Sequence, residues 1–119
     1  MYEIRFYEDS RGCCPVDEFL DVNDVKVRAK FFKWLSKLKE MGPYFPRPYA
    51  DVLRGKIREL RVIFGGNQYR FLYFFFGKKI IITHAFVKKT DRVPENEIER
   101  AEKMMIDFIH RHQRGDVEL

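Results

Sequence analysis

The stretch LRGKIRELRVIFGGNQYRFLYFFFGKKIIITHAFVKKT, residues 53–90, decides the fold of this 119-residue chain. It contains three runs rich in β-branched and aromatic residues, and two glycine-marked breaks separate them. The breaks are Gly65-Gly66-Asn67 and Gly77-Lys78. Runs of this kind joined by short glycine turns are typical of consecutive antiparallel strands. The stretch therefore predicts the centre of a β-sheet.

The same part of the chain holds most of the positive charge. Between residues 54 and 92, ten Lys or Arg oppose two acidic residues, which leaves +8 against +5 for the whole chain. The ten are Arg54, Lys56, Arg58, Arg61, Arg70, Lys78, Lys79, Lys88, Lys89 and Arg92. Charge concentrated in this way favours a polyanionic partner, namely nucleic acid, a phosphate-rich assembly or an acidic protein. The alternative is an ordinary solvated surface rich in lysine.

Length and composition indicate a single domain over residues 1–119, with 16% aromatic residues to fill one core. No apolar run is long enough to span a membrane, and the N-terminus lacks a signal-peptide pattern. Cys13 and Cys14 are adjacent, a spacing that rarely forms a structural disulfide, so we expect a reducing, cytoplasmic setting. With two cysteines and three histidines, neither a metal nor a cofactor is expected.

Hydrophobic spacing predicts a further strand and two helices before the basic stretch. Residues 2–8 alternate with period two, which indicates a half-buried strand. Pro15 suits the first turn of a short helix. Asn23 or Asp24 caps a longer helix, which Gly42 and the following proline end.

A connecting segment, a last helix and a tail complete the chain. Residues 44–51 contain Pro46 and Pro48 and are predicted to be an extended connection. Val93-Pro94 opens a last helix whose acidic first turn matches the helix dipole. Residues 113–119 are predicted to be a frayed tail.

The order β, α, α, β, β, β, α predicts an α+β fold. It consists of a small antiparallel or mixed β-sheet with an N-terminal helical hairpin and a C-terminal helix. The opposite face of the sheet bears Arg61 and Arg70, and it is either open or covered by the last helix.

A set of short motifs follows the order of these elements. They are Leu60-Arg61, Tyr69-Arg70-Phe71-Leu72-Tyr73, His84-Ala85-Phe86-Val87-Lys88-Lys89-Thr90, Pro94 and Glu97-Ile98-Glu99-Arg100-Ala101. Together they resemble the RelE/HigB toxin superfamily, and most closely its phage-derived HigB-like branch. Residues 15–20 and the helix end at Gly42 fit the same family, so the resemblance covers nearly the whole chain.

The resemblance implies the toxin of a type II toxin–antitoxin system with a RelE-like, microbial-ribonuclease-like fold. It implies metal-independent cleavage of messenger RNA, usually on the ribosome. It also implies a small antitoxin partner, often a helix-turn-helix DNA-binding protein, and a toxin–antitoxin hetero-oligomer. Two alternatives stay open: a ParE-like inhibitor of DNA gyrase without nuclease activity, and a catalytically silent nucleic-acid-binding relative.

Four basic residues are the main candidates for the chemistry. Arg70 is the basic exception in an apolar central strand and matches the catalytic arginine of the family. Its alternative role is a structural ion pair with Glu59. Arg61 resembles a family position that contacts phosphate. Lys88 and Lys89 follow the last strand, and strand alternation lets only one of them face the site.

Glu59 and His84 are the candidates for general base and general acid, although a structural role competes for both. Further basic residues of the stretch are predicted to bind RNA. These are Lys56, Arg58, Lys78, Lys79 and Arg92.

Overall fold

The computed structural model describes residues 1–115, and within them five strands and three α-helices form an α+β fold. The elements are β1 (Glu3–Phe6), α1 (Pro15–Asp21), α2 (Val25–Met41), β2 (Ala50–Arg54), β3 (Ile57–Phe64), β4 (Asn67–Phe76), β5 (Lys79–Lys88) and α3 (Glu95–Gln113). The N-terminal helical hairpin, the sheet and the C-terminal helix confirm the predicted fold class.

The five strands form one mixed sheet in the order β1-β5-β4-β3-β2. The strands from β2 to β5 pair as consecutive antiparallel neighbours, as the glycine turns predicted. The first strand pairs with the last in parallel, through Glu3 to Phe6 and Lys79 to Ile82. The long β4 and β5 therefore lie at the centre of the sheet, where both faces are covered.

The edge strand β2 was not predicted. Residues 44–51 were expected to be a connection, but Ala50 and Asp51 already pair with Leu60 and Glu59 of β3. The prolines before residue 49 led to the prediction of a connection where the structure has a strand of five residues. Gly55, at φ +55°, makes the turn into β3.

Helix α3 extends to the first residue of the predicted tail. Gln113 is the last residue of α3, and Arg114 and Gly115 form a turn. Residues 116–119 lie outside the described part of the chain.

The helices cover both faces of the sheet. Helices α1 and α2 pack on one face, where Phe31 stacks on Phe71 with ring centroids 3.8 Å apart. On the opposite face α3 packs through Ala101 and Phe108, and the Phe108 ring meets the edge of Phe74 at 5.8 Å. Of the two alternatives for the face that bears Arg70, the structure shows coverage by the last helix.

Two residues fix the ends of α2. The Asp24 carboxylate accepts a hydrogen bond from the Lys26 backbone N–H at 2.8 Å, as a helix cap. At the other end Gly42 has φ +56°, and a Cβ there would lie 2.3 Å from the Tyr2 ring. Only glycine fits this position, which brings the end of α2 against the start of β1.

Cys13 is exposed and Cys14 is buried, and neither forms a disulfide. Within residues 1–115, none of the helices combines the length and the apolar character that crossing a membrane would require.

Candidate functional site

A cleft of about 330 Å³ opens on the α3 side of the sheet, between the strands and the segment that leads into α3. We call it the arginine cleft. Among its lining residues are Glu59, Arg61, Arg70, Lys88, Asp91 and Arg92. Four candidate basic residues therefore share one cavity.

Strand register explains why the two arginines meet. Arg61 of β3 lies directly opposite Arg70 of β4 in the antiparallel pair, and Glu59 lies opposite Leu72. Because side chains alternate along a strand, Glu59, Arg61 and Arg70 all point to the α3 face. Two cations placed face to face would repel each other, and the neighbouring carboxylate offsets that repulsion.

Glu59 is the anion between the two guanidinium groups. Its Oε2 accepts hydrogen bonds from Arg61 Nη2 at 3.0 Å and Nε at 3.3 Å. Its Oε1 lies 2.8 Å from Arg70 Nε, but the N–H does not point at the oxygen, so this contact is an ion pair without a directed hydrogen bond. Glu59 is 4% exposed, and Oε1 remains a buried acceptor without a hydrogen-bond donor.

Arg70 is held from two further sides. Its Nη2 donates to Gln68 Oε1 at 2.8 Å, and its Nη1 donates to the Tyr69 carbonyl at 3.3 Å. Burial lowers the pKa of this guanidinium, and the Glu59 charge acts in the opposite direction. The structural ion pair that competed with a catalytic role is thus present, and it lies in the wall of the cleft.

A β-bulge decides which of the two lysines faces the cleft. Leu72 pairs with His84 but Tyr73 pairs with Ile82, so Thr83 is an extra residue in β5. The bulge reverses the alternation, and Lys88 therefore shares the α3 face with Arg70. Lys88 lines the arginine cleft, whereas Lys89 lines an adjoining cavity.

Two residues of the site were not foreseen. Asp51 of the unpredicted β2 accepts from Arg61 Nη2 at 3.5 Å and from Arg47 Nε at 2.8 Å. Although burial raises the pKa of the Asp51 carboxyl, the Val52 N–H and both arginines together lower it. Gln68 was the other omission, and its position two residues before Arg70, on the same strand face, could have indicated it.

His84 lies on the same sheet face but does not line the arginine cleft. It is 0% exposed, beneath the first turn of α3. Its Nδ1 lies 3.2 Å from Thr83 Oγ1, and the Thr83 hydroxyl donates its one hydrogen to the Leu72 carbonyl. While the hydroxyl keeps this hydrogen bond, Nδ1 carries the proton and donates to Thr83.

The other ring nitrogen of His84 faces a carboxyl group. Its Nε2 lies 3.2 Å from Glu97 Oε1. Burial, with a contribution from Arg100, lowers the pKa of His84 to about 3, and burial raises the pKa of Glu97. In the tautomer with Nδ1–H, Nε2 presents a lone pair, and a hydrogen bond in this contact then takes one proton shared between Glu97 and His84. Both polar ends of the imidazole are then satisfied inside the protein.

The remaining basic residues lie elsewhere. Lys79 pairs with Glu3 at 2.7 Å, and the Lys78 ammonium lies 5.3 Å from the centre of the Tyr2 ring. Lys79 is opposite Phe76, six residues along β4 from Arg70, or roughly 20 Å away.

Three more basic residues do not line the cleft. Arg58 points to the α2 face, with its guanidinium 5.4 Å from the centre of the Phe75 ring. Lys56 sits in the turn before β3. Arg54 is bound by Glu95 at 2.6 Å and Glu102 at 2.7 Å. The basic residues of the stretch therefore divide between two ends and two faces of the sheet.

Within residues 1–115, no group of three or more His, Cys, Asp or Glu side chains is arranged to hold a metal ion.

Residues 18–106 match the family model described as Phage derived protein Gp49-like (DUF891). The chain belongs to this family. The matched region contains α2 and the strands β2 to β5, and hence all of the arginine cleft. Membership of the Gp49-like family is consistent with the toxin of a toxin–antitoxin system. No curated protein sequence gives a significant match to the chain.

Proposed function

We propose that this Gp49-like protein is the toxin of a toxin–antitoxin pair, and that it cleaves messenger RNA on the ribosome at the arginine cleft without a metal ion. The observation that carries the proposal is the convergence of two guanidinium groups on one buried carboxylate, with Lys88 and Arg92 beside them. A ribosomal substrate would place the protein in the cytoplasm.

The cleft has the charges that RNA cleavage requires. Attack of a 2′-hydroxyl on the adjacent phosphate adds negative charge to the phosphate oxygens in the transition state. Guanidinium groups stay protonated and bind such oxygens through paired N–H donors. The hydrogen bonds of Arg61 to residues 1–115 use Nε and Nη2, which leaves Nη1 for a phosphate. Preorganised donors of this kind are a major source of catalysis in acyl and phosphoryl transfer.

Two side chains can move the protons. Glu59 lines the arginine cleft and would take the proton of the 2′-hydroxyl as that oxygen bonds to phosphorus. The Lys88 ammonium would donate a proton to the 5′-oxygen as its bond to phosphorus breaks. The products are a 2′,3′-cyclic phosphate and a 5′-hydroxyl, and every proton is accounted for. His84 takes no part, because α3 closes it off from the cleft.

The proposed partner is an antitoxin, and the resemblance to HigB-like toxins favours a helix-turn-helix protein. Co-expression of the chain with the product of the neighbouring gene tests this directly. A stable complex that relieves growth arrest is expected, whereas continued growth arrest in the presence of that product would contradict the pairing.

The central experiment is cleavage of a defined messenger RNA on purified ribosomes. We expect the wild-type protein to leave products with 5′-hydroxyl ends, and we expect Arg61→Ala to reduce the cleavage rate by about tenfold or more. Lys79→Ala is the control, because it removes a cation from the distant end of the sheet and should cleave like the wild type.

Two results would contradict the proposal. Intact messenger RNA together with inhibition of purified DNA gyrase would instead show a ParE-like activity. Equal losses of cleavage in the Arg61 and Lys79 variants would mean that the cleft is not the site of the reaction.

A further inference from the structure

A second cavity, of about 550 Å³, adjoins the arginine cleft at the same end of the sheet. We call it the amide groove. It is lined by residues 66–68 on one side and by residues 87–91 on the other. Lys88 and Asp91 line both cavities, so a strand of RNA bound at the cleft would continue into the groove.

A tight turn brings two amide side chains to the rim of this groove. Phe64 and Asn67 are paired, which leaves Gly65 and Gly66 as a two-residue hairpin loop with φ values of +61° and +79°. Positive φ at both positions is the requirement of a type I′ turn, and glycine meets it without strain. Strand β4 therefore begins at Asn67, and Asn67 and Gln68 are exposed beside the cleft.

The contact with Arg70 fixes the orientation of the Gln68 amide. A guanidinium group only donates hydrogen bonds, so the Gln68 atom 2.8 Å from Arg70 Nη2 must be the carbonyl oxygen. The Gln68 NH₂ group then remains as a donor for a ligand. The ammonium of Lys88 is also a donor only, and the Asp91 carboxylate supplies an acceptor.

We infer that the amide groove is a base-reading subsite that binds guanine next to the cleaved phosphate. This inference rests on the proposed function of the arginine cleft. Guanine presents two acceptors, O6 and N7, and the NH₂ group of Gln68 fits either of them. Its N1–H and N2–H₂ groups fit the Asp91 carboxylate. Adenine has no N1–H and presents a donor where guanine has O6, so it meets these groups less well.

The same contact links base reading to the reaction. Gln68 holds Arg70 through its oxygen and would hold the base through its nitrogen. A correctly bound guanine would therefore help to position Gln68 and, through it, the Arg70 guanidinium. Gln68 is a positioning residue in this scheme, and Asp91 determines which base is preferred.

The test is cleavage of ribosome-bound messages that differ only in the base beside the cleavage site. For the wild type we expect faster cleavage at guanine than at adenine, by about tenfold. Asp91→Asn exchanges one of the two acceptor oxygens for an NH₂ donor in an exposed segment, and it should reduce the guanine-to-adenine ratio of kcat/KM close to one. Gln68→Ala should reduce both this ratio and the overall rate, since Arg70 loses one of its supports. Gln113→Ala, an amide change at the far end of α3, is the control and should leave the ratio unchanged.

The outcomes separate this inference from the proposed function. A wild-type protein that cleaves with equal rates at all four bases would overturn the base-reading subsite and leave the ribonuclease proposal intact. The same conclusion would follow if Asp91→Asn, with an unchanged thermal unfolding midpoint, kept the wild-type ratio. A wild-type protein that cleaves no message would overturn the ribonuclease proposal, and the subsite with it.

Discussion

The Glu59 cluster, formed by Glu59, Arg61 and Arg70, and the His84–Glu97 pair lie on the same face of the sheet, but their surroundings differ. In the cluster, two cations share one carboxylate at the edge of an open cleft, and Glu59 Oε1 has no hydrogen-bond donor. In the pair, α3 covers the imidazole and both ring nitrogens have partners inside the protein. Burial alone therefore does not identify a reactive group, and a charged group that lines a cavity is the more specific sign.

The largest expected effect compares the same substitution in the two regions. Glu59→Gln should reduce RNA cleavage by roughly 10²–10⁴, which is the usual contribution of a general base. RNA affinity should stay equal or increase, because a negative charge is removed from among the four cations of the cleft. Glu97→Gln should cleave like the wild type, because Glu97 is not in the cleft. Rates on ribosome-bound message and affinities for a non-cleavable RNA provide the measurements.

A different pattern in these two variants would remove the distinction between the regions. If Glu97→Gln lost cleavage while Glu59→Gln kept it, the His84–Glu97 pair would be the reactive site. If Glu59→Gln lost RNA binding in proportion to cleavage, Glu59 would act only by holding the two arginines in place.

The next largest effect concerns the geometry of the cations. Arg70→Lys keeps the positive charge but loses the paired donors and the hydrogen bonds to Gln68 and Tyr69. We expect cleavage to fall by roughly 10²–10³, as when one preorganised donor is removed from a transition-state site. Arg58→Lys makes the same change on the other face of the sheet, over the Phe75 ring, and should have little effect.

The comparison of Arg70→Lys and Arg58→Lys is informative only if both variants are folded, which circular dichroism and the unfolding midpoint establish. Similar cleavage by two folded variants would show that the protein needs positive charge on the sheet but no defined phosphate site.

The sequence indicated the fold and the main cluster because both depend on local patterns. The glycine-marked runs defined β3 to β5, and Arg70 was identifiable as the one cation in an apolar strand. The resemblance to HigB-like toxins indicated the same residues, and the Gp49-like match covers them.

Features that depend on contacts between distant parts of the chain could not be predicted from local sequence patterns. The extra residue Thr83 reverses the alternation of β5, and nothing in the run from Ile80 to Lys88 reveals where a bulge lies. The choice between Lys88 and Lys89, and the burial of His84 under α3, both follow from tertiary packing. Asp51 was missed because its edge strand is short and follows two prolines. Counting charge along the chain could not show that Lys78 and Lys79 lie at the far end of the sheet.

The smallest expected effect is on stability, and it tests whether the His84–Glu97 pair shares one proton. Glu97→Gln supplies an N–H donor where a protonated carboxyl would stand, so at pH 7 its stability should remain within about 0.5 kcal/mol of the wild type. Glu97→Ala leaves His84 Nε2 without a donor and should cost about 1–3 kcal/mol. Urea unfolding of the three proteins measures these differences.

The pH dependence gives a sharper version of this test. The pKa of His84 in the folded protein, about 3, lies below its ordinary value of 6.5. His84 therefore contributes less to the free energy of unfolding as the pH falls from 6.5 towards 3. The pKa of Glu97 in the folded protein is raised above its ordinary value of 4.5. Its contribution to the free energy of unfolding therefore changes in the opposite direction and decreases as the pH rises. The two contributions oppose each other just above pH 4.5 in the wild type.

Glu97→Gln removes the glutamate contribution and leaves that of His84. The free energy of unfolding should therefore fall more steeply from pH 6.5 to 4.5 in this variant than in the wild type. If the free energy of unfolding changed equally steeply with pH in the two proteins, Glu97 would release its proton in the folded protein as readily as in the unfolded chain. The pair would then hold no shared proton, and its contrast with the Glu59 cluster would rest on solvent access alone.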